Sequence, residues 1–459
     1  MLALLFIALP ITMALYTFLL GRQRNLVLWA AMVTLLLEGY LCANLPLGQP
    51  VRLMGAILSL TAVDRMFLYV LLLATGAILW VAHWLHQGEL PIPIGLFILG
   101  VSNAIVLLDD PIVISLLLQV IGLAIVLATV DRPQEPVGLL PISAPMAGLK
   151  YLITMTLAGV ALLIGFLMMG QFQEMPQQVF YAKLALGLLA IGFGLGTAVV
   201  PFHLWFPDLA GHTSTAVTGL LTSLIQVVAM LFLGRFPVSL ARLLQQSRWG
   251  SQVLMGGAVA AALLAALLAS GQDRWKRLAA YAASYDVAVV LCAFSLTDTP
   301  GLRDGMFLAV HHGLALALLW VCIGVMEWST GRDDVAGLVG VAYRMPAVAL
   351  GLVVATLSLA GIPPLGGFVG RWALYTQALA RGWGYLAGLL LAALFFLLAM
   401  VRALWPTVLP TEQTVPLRRP PWQVIVVIAL LIVALLLLGM YPHPILKVLG
   451  TVAVTPGGR

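Results

Sequence analysis

The sequence predicts an all-α polytopic membrane protein of about 14 transmembrane helices, arranged as two inverted five-helix repeats that each contain a broken helix. Three observations carry this. Hydrophobic residues make up 62% of the chain and charged residues 9%, with a mean hydropathy of +1.08. Apolar stretches recur at close to the roughly 20 residues that cross a bilayer as a helix. Two of them are interrupted, by Pro201-Phe202-His203-Leu204-Trp205-Phe206-Pro207-Asp208 and by Gly361-Ile362-Pro363-Pro364-Leu365-Gly366-Gly367-Phe368.

Hydropathy places the spans near 1–21, 25–43, 65–85, 93–108, 111–129, 147–170, 179–204, 214–235, 252–270, 278–296, 304–326, 345–380, 384–405 and 422–441. The first is read as a retained span: it lacks the basic leading segment and small-residue cleavage site of a secretory signal, and Arg22 and Arg24 follow it. The longest polar connections, near 130–147 and 406–421, are too short to fold as soluble units, so residues 1–459 form a single transmembrane domain. Alternate loops carry Arg22, Arg24, Arg132, Arg274, Lys276, Arg277, Arg332, Arg344, Arg418 and Arg419. That excess marks their side as cytoplasmic and puts both termini outside.

A break at membrane depth frees N–H and C=O groups that lipid cannot satisfy, so it persists only where protein or a wet cavity supplies partners. The two breaks fall in the fourth span of each of two five-span sets, 93–235 and 252–405. An odd number of spans per set turns the second copy upside down, the geometry of inverted repeats around a transport path.

The net charge of +6 resides mostly in short loops, where it sets topology, so a nucleic-acid role is excluded. Cys42, Cys292 and Cys322 are far apart in apolar runs and offer neither a metal spacing nor a redox pair. With no nucleotide-binding loop and no cysteine cluster, the chain is expected to hold no redox cofactor or metal of its own.

Four motifs resemble those of the antiporter-like membrane subunits of respiratory complex I, a family shared with energy-converting hydrogenases and multi-subunit cation/proton antiporters. Gly148-Leu149-Lys150-Tyr151 resembles the family's LKY, and residues 201–208 its PFHxWxPD. Asp273-Arg274-Trp275-Lys276-Arg277-Leu278-Ala279-Ala280-Tyr281 is similar to D-x-KRLLAYSS. Ser358-Leu359-Ala360-Gly361-Ile362-Pro363-Pro364, followed by Gly367-Phe368-Val369-Gly370-Arg371, resembles SLAGIPP…GFxGK. The LKY motif and the spacing after residue 208 favour the N type of NADH-quinone oxidoreductase subunit. His311-His312 followed by Ala317-Leu318-Leu319-Trp320 is more similar to a segment of the M and L types.

The resemblance implies a proton or sodium path along the membrane midplane, driven by redox chemistry elsewhere. It further implies other membrane subunits as partners, with quinone, flavin and iron–sulfur clusters confined to partner subunits. An energy-transducing membrane, such as the bacterial plasma membrane, is the implied location. Four relay positions of the family have lost their titratable group: its lysines fall on Gly196, Gln226 and Leu316, and its fifth-helix glutamate on Gln119. Gln can pass a hydrogen bond but cannot store a charge.

The ionisable groups left for translocation are Lys150, Asp286, His311, His312 and Arg371. A charge at the bilayer centre costs about 2.5–3.5 kcal/mol on insertion scales, so an intramembrane acid such as Asp286, within the apolar run 282–294, is a functional candidate. Its expected partner is a cation on a neighbouring helix such as Arg371, which holds a permanent charge and does not cycle protons. Lys150, near a helix start, is a relay group or a snorkelling lysine. His311 and His312 point about 100° apart on a helix, so at most one is expected to face the path, and a core role is the alternative. At the breaks, Pro201, His203, Pro207, Pro363, Pro364 and Gly367 are expected to shape the backbone, with His203 either capping freed carbonyls or carrying protons. Lys276 and Arg277 mark an interface. Glu38 and Asp64 are expected in solvent or headgroups, and Asp109-Asp110 in a polar turn.

Three functions fit. The chain is a proton-moving complex-I-like subunit, a non-pumping structural subunit of such a complex, or a subunit of a cation/proton antiporter or inorganic-carbon uptake complex.

Overall fold

A computed structural model of the chain describes residues 2–21, 23–53, 56–129, 143–235, 250–296, 298–335, 338–410 and 418–451. Arg22, Arg132 and parts of the connections 130–147 and 406–421 lie outside the described residues. The described chain runs through α1 (Leu2–Leu19), α2 (Arg24–Asn44), α3 (Ala62–Trp84), α4 (Pro91–Leu107), α5 (Pro111–Thr129) and α6 (Ser143–Glu174). A two-stranded antiparallel hairpin, Val51–Leu53 with Ala56–Leu58, joins α2 to α3. The first broken unit is α7 (Val179–Thr197) and α8 (Trp205–His212), followed by α9 (Thr215–Gly234). Then come α10 (Gly250–Ser270), α11 (Trp275–Phe294), α12 (Thr299–Thr330) and the short α13 (Val341–Arg344). The second broken unit is α14 (Pro346–Ala360) with α15 (Gly366–Arg381), and α16 (Trp383–Val408), α17 (Trp422–Met440) and α18 (His443–Leu449) complete the chain.

Twelve described helices are long and apolar enough to cross a membrane, and α4 and α14 are shorter apolar helices. Together they fall on the fourteen stretches that hydropathy marks. Local chemistry sets their ends. Pro91 and Pro346 occupy first helical positions, where the missing N–H costs nothing. Thr61 and Asp64 form a reciprocal capping box at α3, Asp298 caps α12, and Asp110 accepts from the N–H groups of Ile112 and Val113 at α5.

Burial sorts the helices into a centre and a lipid-facing shell. The apolar windows of α12, α9 and α11 are 100%, 94% and 83% buried, against 22% in α1 and 28% in α16. The shell presents Leu15, Phe18, Leu36, Leu394 and Leu398 outward, as a bilayer requires. Polar side chains in the three central helices therefore meet one another and not lipid.

Both breaks have the same local order. Helix α7 stops at a left-handed residue, Ala198, the Val200–Pro201 bond is cis, and α8 restarts at Trp205. Helix α14 stops at left-handed Gly361, the Pro363–Pro364 bond is cis, and α15 restarts at Gly366. Gly361 has φ +79, and a Cβ there would lie 2.6 Å from Arg371 Cδ, so conformation and space both require glycine. Gly367 is required by contact alone: its Cβ would collide with the Ser358 carbonyl and sit 2.9 Å from His311 Nε2.

Two expectations are corrected. Glu38 is fully buried, because the α1–α2–α4 contact closes over its face of α2. Asp64 is also buried, ion-paired at 2.6 Å with Arg235 at the end of α9. Lys276 lies at a helix end as expected but is buried, donating to the Thr213 carbonyl at 2.9 Å and pairing with Glu327 at 2.6 Å. Proximity to a span end fixes depth, whereas solvation depends on which helices pack over that face.

Candidate proton-transfer site

Among the carbonyls in the last turns of α7 and α14 that no backbone N–H reaches in the described residues are those of Thr197 and Leu359. Each is taken by a side chain, and the two side chains are ends of one line. Gln226 Nε2 donates to the Thr197 carbonyl at 2.8 Å. Gln226 Oε1 meets His312 Nε2 at 3.0 Å, and His312 Nδ1 meets Asp286 Oδ2 at 3.0 Å. Asp286 Oδ1 is ion-paired with Arg371 Nη2, and Arg371 Nη1 donates to the Leu359 carbonyl. The line crosses α9, α12, α11 and α15, and every side chain in it is buried. Gln226 closes a π-helical segment, Leu221–Gln226, within α9. The wider turn is a feature found often at functional sites.

Asp286 and Arg371 form the only ion pair between fully buried side chains among the described residues, His contacts aside. Arg371 also lies 5.3 Å from the Tyr285 ring centroid, a cation–π distance. Both histidines approach Asp286: His312 Nδ1 is 3.0 Å and His311 Nδ1 4.0 Å from Asp286 Oδ2, while His311 Nε2 is 2.8 Å from Ser358 Oγ. The two rings, about 100° apart on α12, thus share one carboxylate oxygen of α11, at hydrogen-bond distance for His312 and at 4.0 Å for His311.

The hydrogens in this line can be counted. Gln226 gives its N–H to Thr197, so its oxygen faces His312, and His312 Nε2 must carry a hydrogen. His312 Nδ1 then faces a carboxylate oxygen at hydrogen-bond distance, which needs a second hydrogen on the imidazole or one on Asp286. With the Gln226 amide in this orientation, every hydrogen bond along the line is satisfied only when the pair carries one proton more than a neutral imidazole and a carboxylate do. Electrostatics oppose that proton, since Arg371 and Asp286 alone are neutral and a further buried positive charge is costly. Release would leave Nδ1–H for Asp286 only if Gln226 flipped and gave up Thr197. Loading and release are therefore set against each other by different terms.

Other sequence candidates lie elsewhere. Lys150, with a side chain 53% exposed, pairs at 2.6 Å with Asp208 of the first break, which is 3.9 Å from Arg277. The partially buried Gln119 packs on α6, where its amide satisfies the Met155 carbonyl and the Gly159 N–H. Gly196 has open space where a Cβ would project, and Leu316 is buried in α12. His203 is buried 5.4 Å from the Tyr281 ring, at the first break and outside the line. Pro207 is buried in α8, whereas Pro201, Pro363 and Pro364 are exposed. The three cysteines are buried, and no group of three or more metal-ligating side chains occurs among the described residues. Sequence reasoning missed the Thr197 and Leu359 carbonyls and Ser358. Backbone acceptors carry no residue signature, though the breaks announced that some would be free.

A family model described as NADH:quinone oxidoreductase/Mrp antiporter, transmembrane, matches residues 142–396, more than half of the chain. NADH-quinone oxidoreductase subunit N of Heliobacterium modesticaldum is 26% identical over 315 residues, which cover 66% of this chain and 66% of that protein. A chain in the Mrp complex from Dietzia sp. DQ12-45-1b superposes with a TM-score of 0.86 at 21% identity, covering 98% of this chain and 96% of its own. One in respiratory complex I from Thermus thermophilus gives 0.83 at 20% identity, covering 99% and 100%. The chain is a multi-pass membrane protein of the NADH:quinone oxidoreductase/Mrp antiporter family.

Proposed function

We propose that this protein is a membrane subunit of a complex-I-like, redox-driven assembly that translocates protons, and that the proton passes through the His312–Asp286 pair. The observation that supports this is the proton count above: a buried pair holds one proton that its hydrogen bonds favour and its charges oppose. A group in that balance can be loaded and emptied by a small movement of its neighbours. Arg371 supplies a fixed field and Gln226 an orientable amide. The proton is favoured over sodium because the line offers imidazole, amide and one carboxylate already paired with a guanidinium.

In this reading the units 93–235 and 252–405 are oppositely oriented repeats, and the Lys276–Arg277 side is cytoplasmic. Other membrane subunits flank the chain, and quinone, flavin and iron–sulfur chemistry belongs to its partners. At the relay positions of the first unit, Gln226 can pass a hydrogen bond but store no charge, and Gly196 offers no side chain for either.

Asp286→Asn in the native complex tests the reading. Because the variant leaves Arg371 unpaired, assembly and electron transfer are verified first; with both retained, the protons moved per electron are expected to fall, measured by acidification of inverted vesicles during turnover. Unchanged stoichiometry would favour the structural-subunit reading. Activity that requires sodium would favour a cation/proton antiporter role.

A further inference from the structure

Outside this line the membrane interior holds another carboxyl with no counter-charge. Glu38 of α2 is fully buried, and no ion pair forms to it among the described residues. Its hydrogen-bond partner is Asn103 of α4, whose Nδ2 donates to Glu38 Oε2 at 2.8 Å and to the Phe6 carbonyl of α1 at 3.2 Å. Both amide hydrogens are used, which fixes the amide's orientation. Glu38 Oε1 and Asn103 Oδ1 are buried without a partner among the described residues. The nearby titratable groups are Cys42, one turn along α2, with Arg65 and Tyr69 of α3 beyond it. The Arg65 guanidinium is taken by the Leu45 carbonyl.

An ionised carboxylate here would be a bare buried charge held by one neutral donor, an arrangement whose desolvation is not repaid. A proton on Oε1 removes the buried charge and leaves the bond from Asn103 to Oε2 in place. Metal cations are disfavoured, because Asn103 turns N–H groups toward the carboxylate. Depth gives the proton a source. Phe6 is four residues from the start of α1 and Asn103 four from the end of α4, about 6 Å of helix from the same membrane face.

We propose that Glu38, held by Asn103, is a second proton-binding site, separate from the His312–Asp286 pair, that exchanges with the face where α1 begins and α4 ends. It stands independently of the translocation reading.

Infrared spectroscopy of the full chain in native membranes, with 13C-labelled glutamate, tests it. At neutral pH a neutral-acid carbonyl band is expected that shifts with the label, moves in D2O without unfolding, and disappears in Glu38→Gln. Gln mimics the protonated acid, so that variant should keep the wild-type thermal midpoint. Asn103→Leu should displace the band while leaving Glu38 present. The idea is overturned if no label-shifted, Glu38-dependent acid band exists at neutral pH, or if the wild-type band ignores D2O, which would mark a sealed structural acid. Neither result depends on redox-driven translocation.

Discussion

The two helix breaks begin from the same backbone problem and answer it with different chemistry. At the first, the Thr197 carbonyl is taken by the neutral amide of Gln226, and Gly196 beside it has open space. At the second, the Leu359 carbonyl is taken by Arg371. A guanidinium in that position has to be neutralised, so Asp286 follows, and Asp286 in turn draws in both histidines. The amide makes no such demand, and the ion pairs of the first break, Asp208 with Lys150 and Arg277, lie at its partly exposed rim. One substitution class at a relay position thus decides where titratable chemistry collects, although the backbone geometry of the breaks is alike.

Breaking the charged end should have the largest effect. Arg371→Leu leaves Asp286 buried and unpaired, and removing one partner of a buried ion pair costs about 3–5 kcal/mol. A matching loss in chemical-denaturation midpoint is expected, with most of it recovered in the Asp286→Leu/Arg371→Leu double variant. Recovery would show that the second break needs neutrality more than it needs charge.

The neutral end should be less sensitive. Gln226→Leu orphans the Thr197 carbonyl, a buried hydrogen-bond loss of about 1–3 kcal/mol. Its more specific consequence is on the proton count: without the amide to hold Nε2–H, His312 is free to place its hydrogen on Nδ1. Nitrogen-15 NMR of labelled histidine should then report a changed tautomer or protonation state at His312. An unchanged signal would mean that Gln226 does not set it.

The smallest effect belongs to the pair at the rim of the first break. Lys150→Met removes a half-exposed ion pair with Asp208, worth about 0–1 kcal/mol. The thermal midpoint should scarcely move, and proton stoichiometry should stay at the wild-type value. A stoichiometry loss as large as that of Asp286→Asn would make the first break a participant equal to the second.

Much of this architecture is legible in the residues. The spans follow from hydropathy, the breaks from Pro and Gly at bilayer depth, and the Asp286–Arg371 partnership from an acid and a cation inside apolar runs with no other way to be neutral. What a sequence does not carry is azimuth. Glu38 is as near a span end as expected, yet its side of α2 is covered by α1 and α4 and meets Asn103 instead of headgroups. Lys150 pairs with Asp208, the last residue of the PFHLWFPD motif, because α8 folds back against α6.

The sequence by itself determined that this chain lives in a bilayer, crosses it many times and breaks two of its helices there. Water-free surroundings leave few ways to satisfy a backbone, and composition alone reveals that constraint. Only the tertiary structure decided that Gln226, His312, Asp286 and Arg371 join the two breaks in one line. Hydrogen bonding is directional over about 3 Å, so it depends on how four helices rotate against one another, and that rotation is set by packing across the whole core.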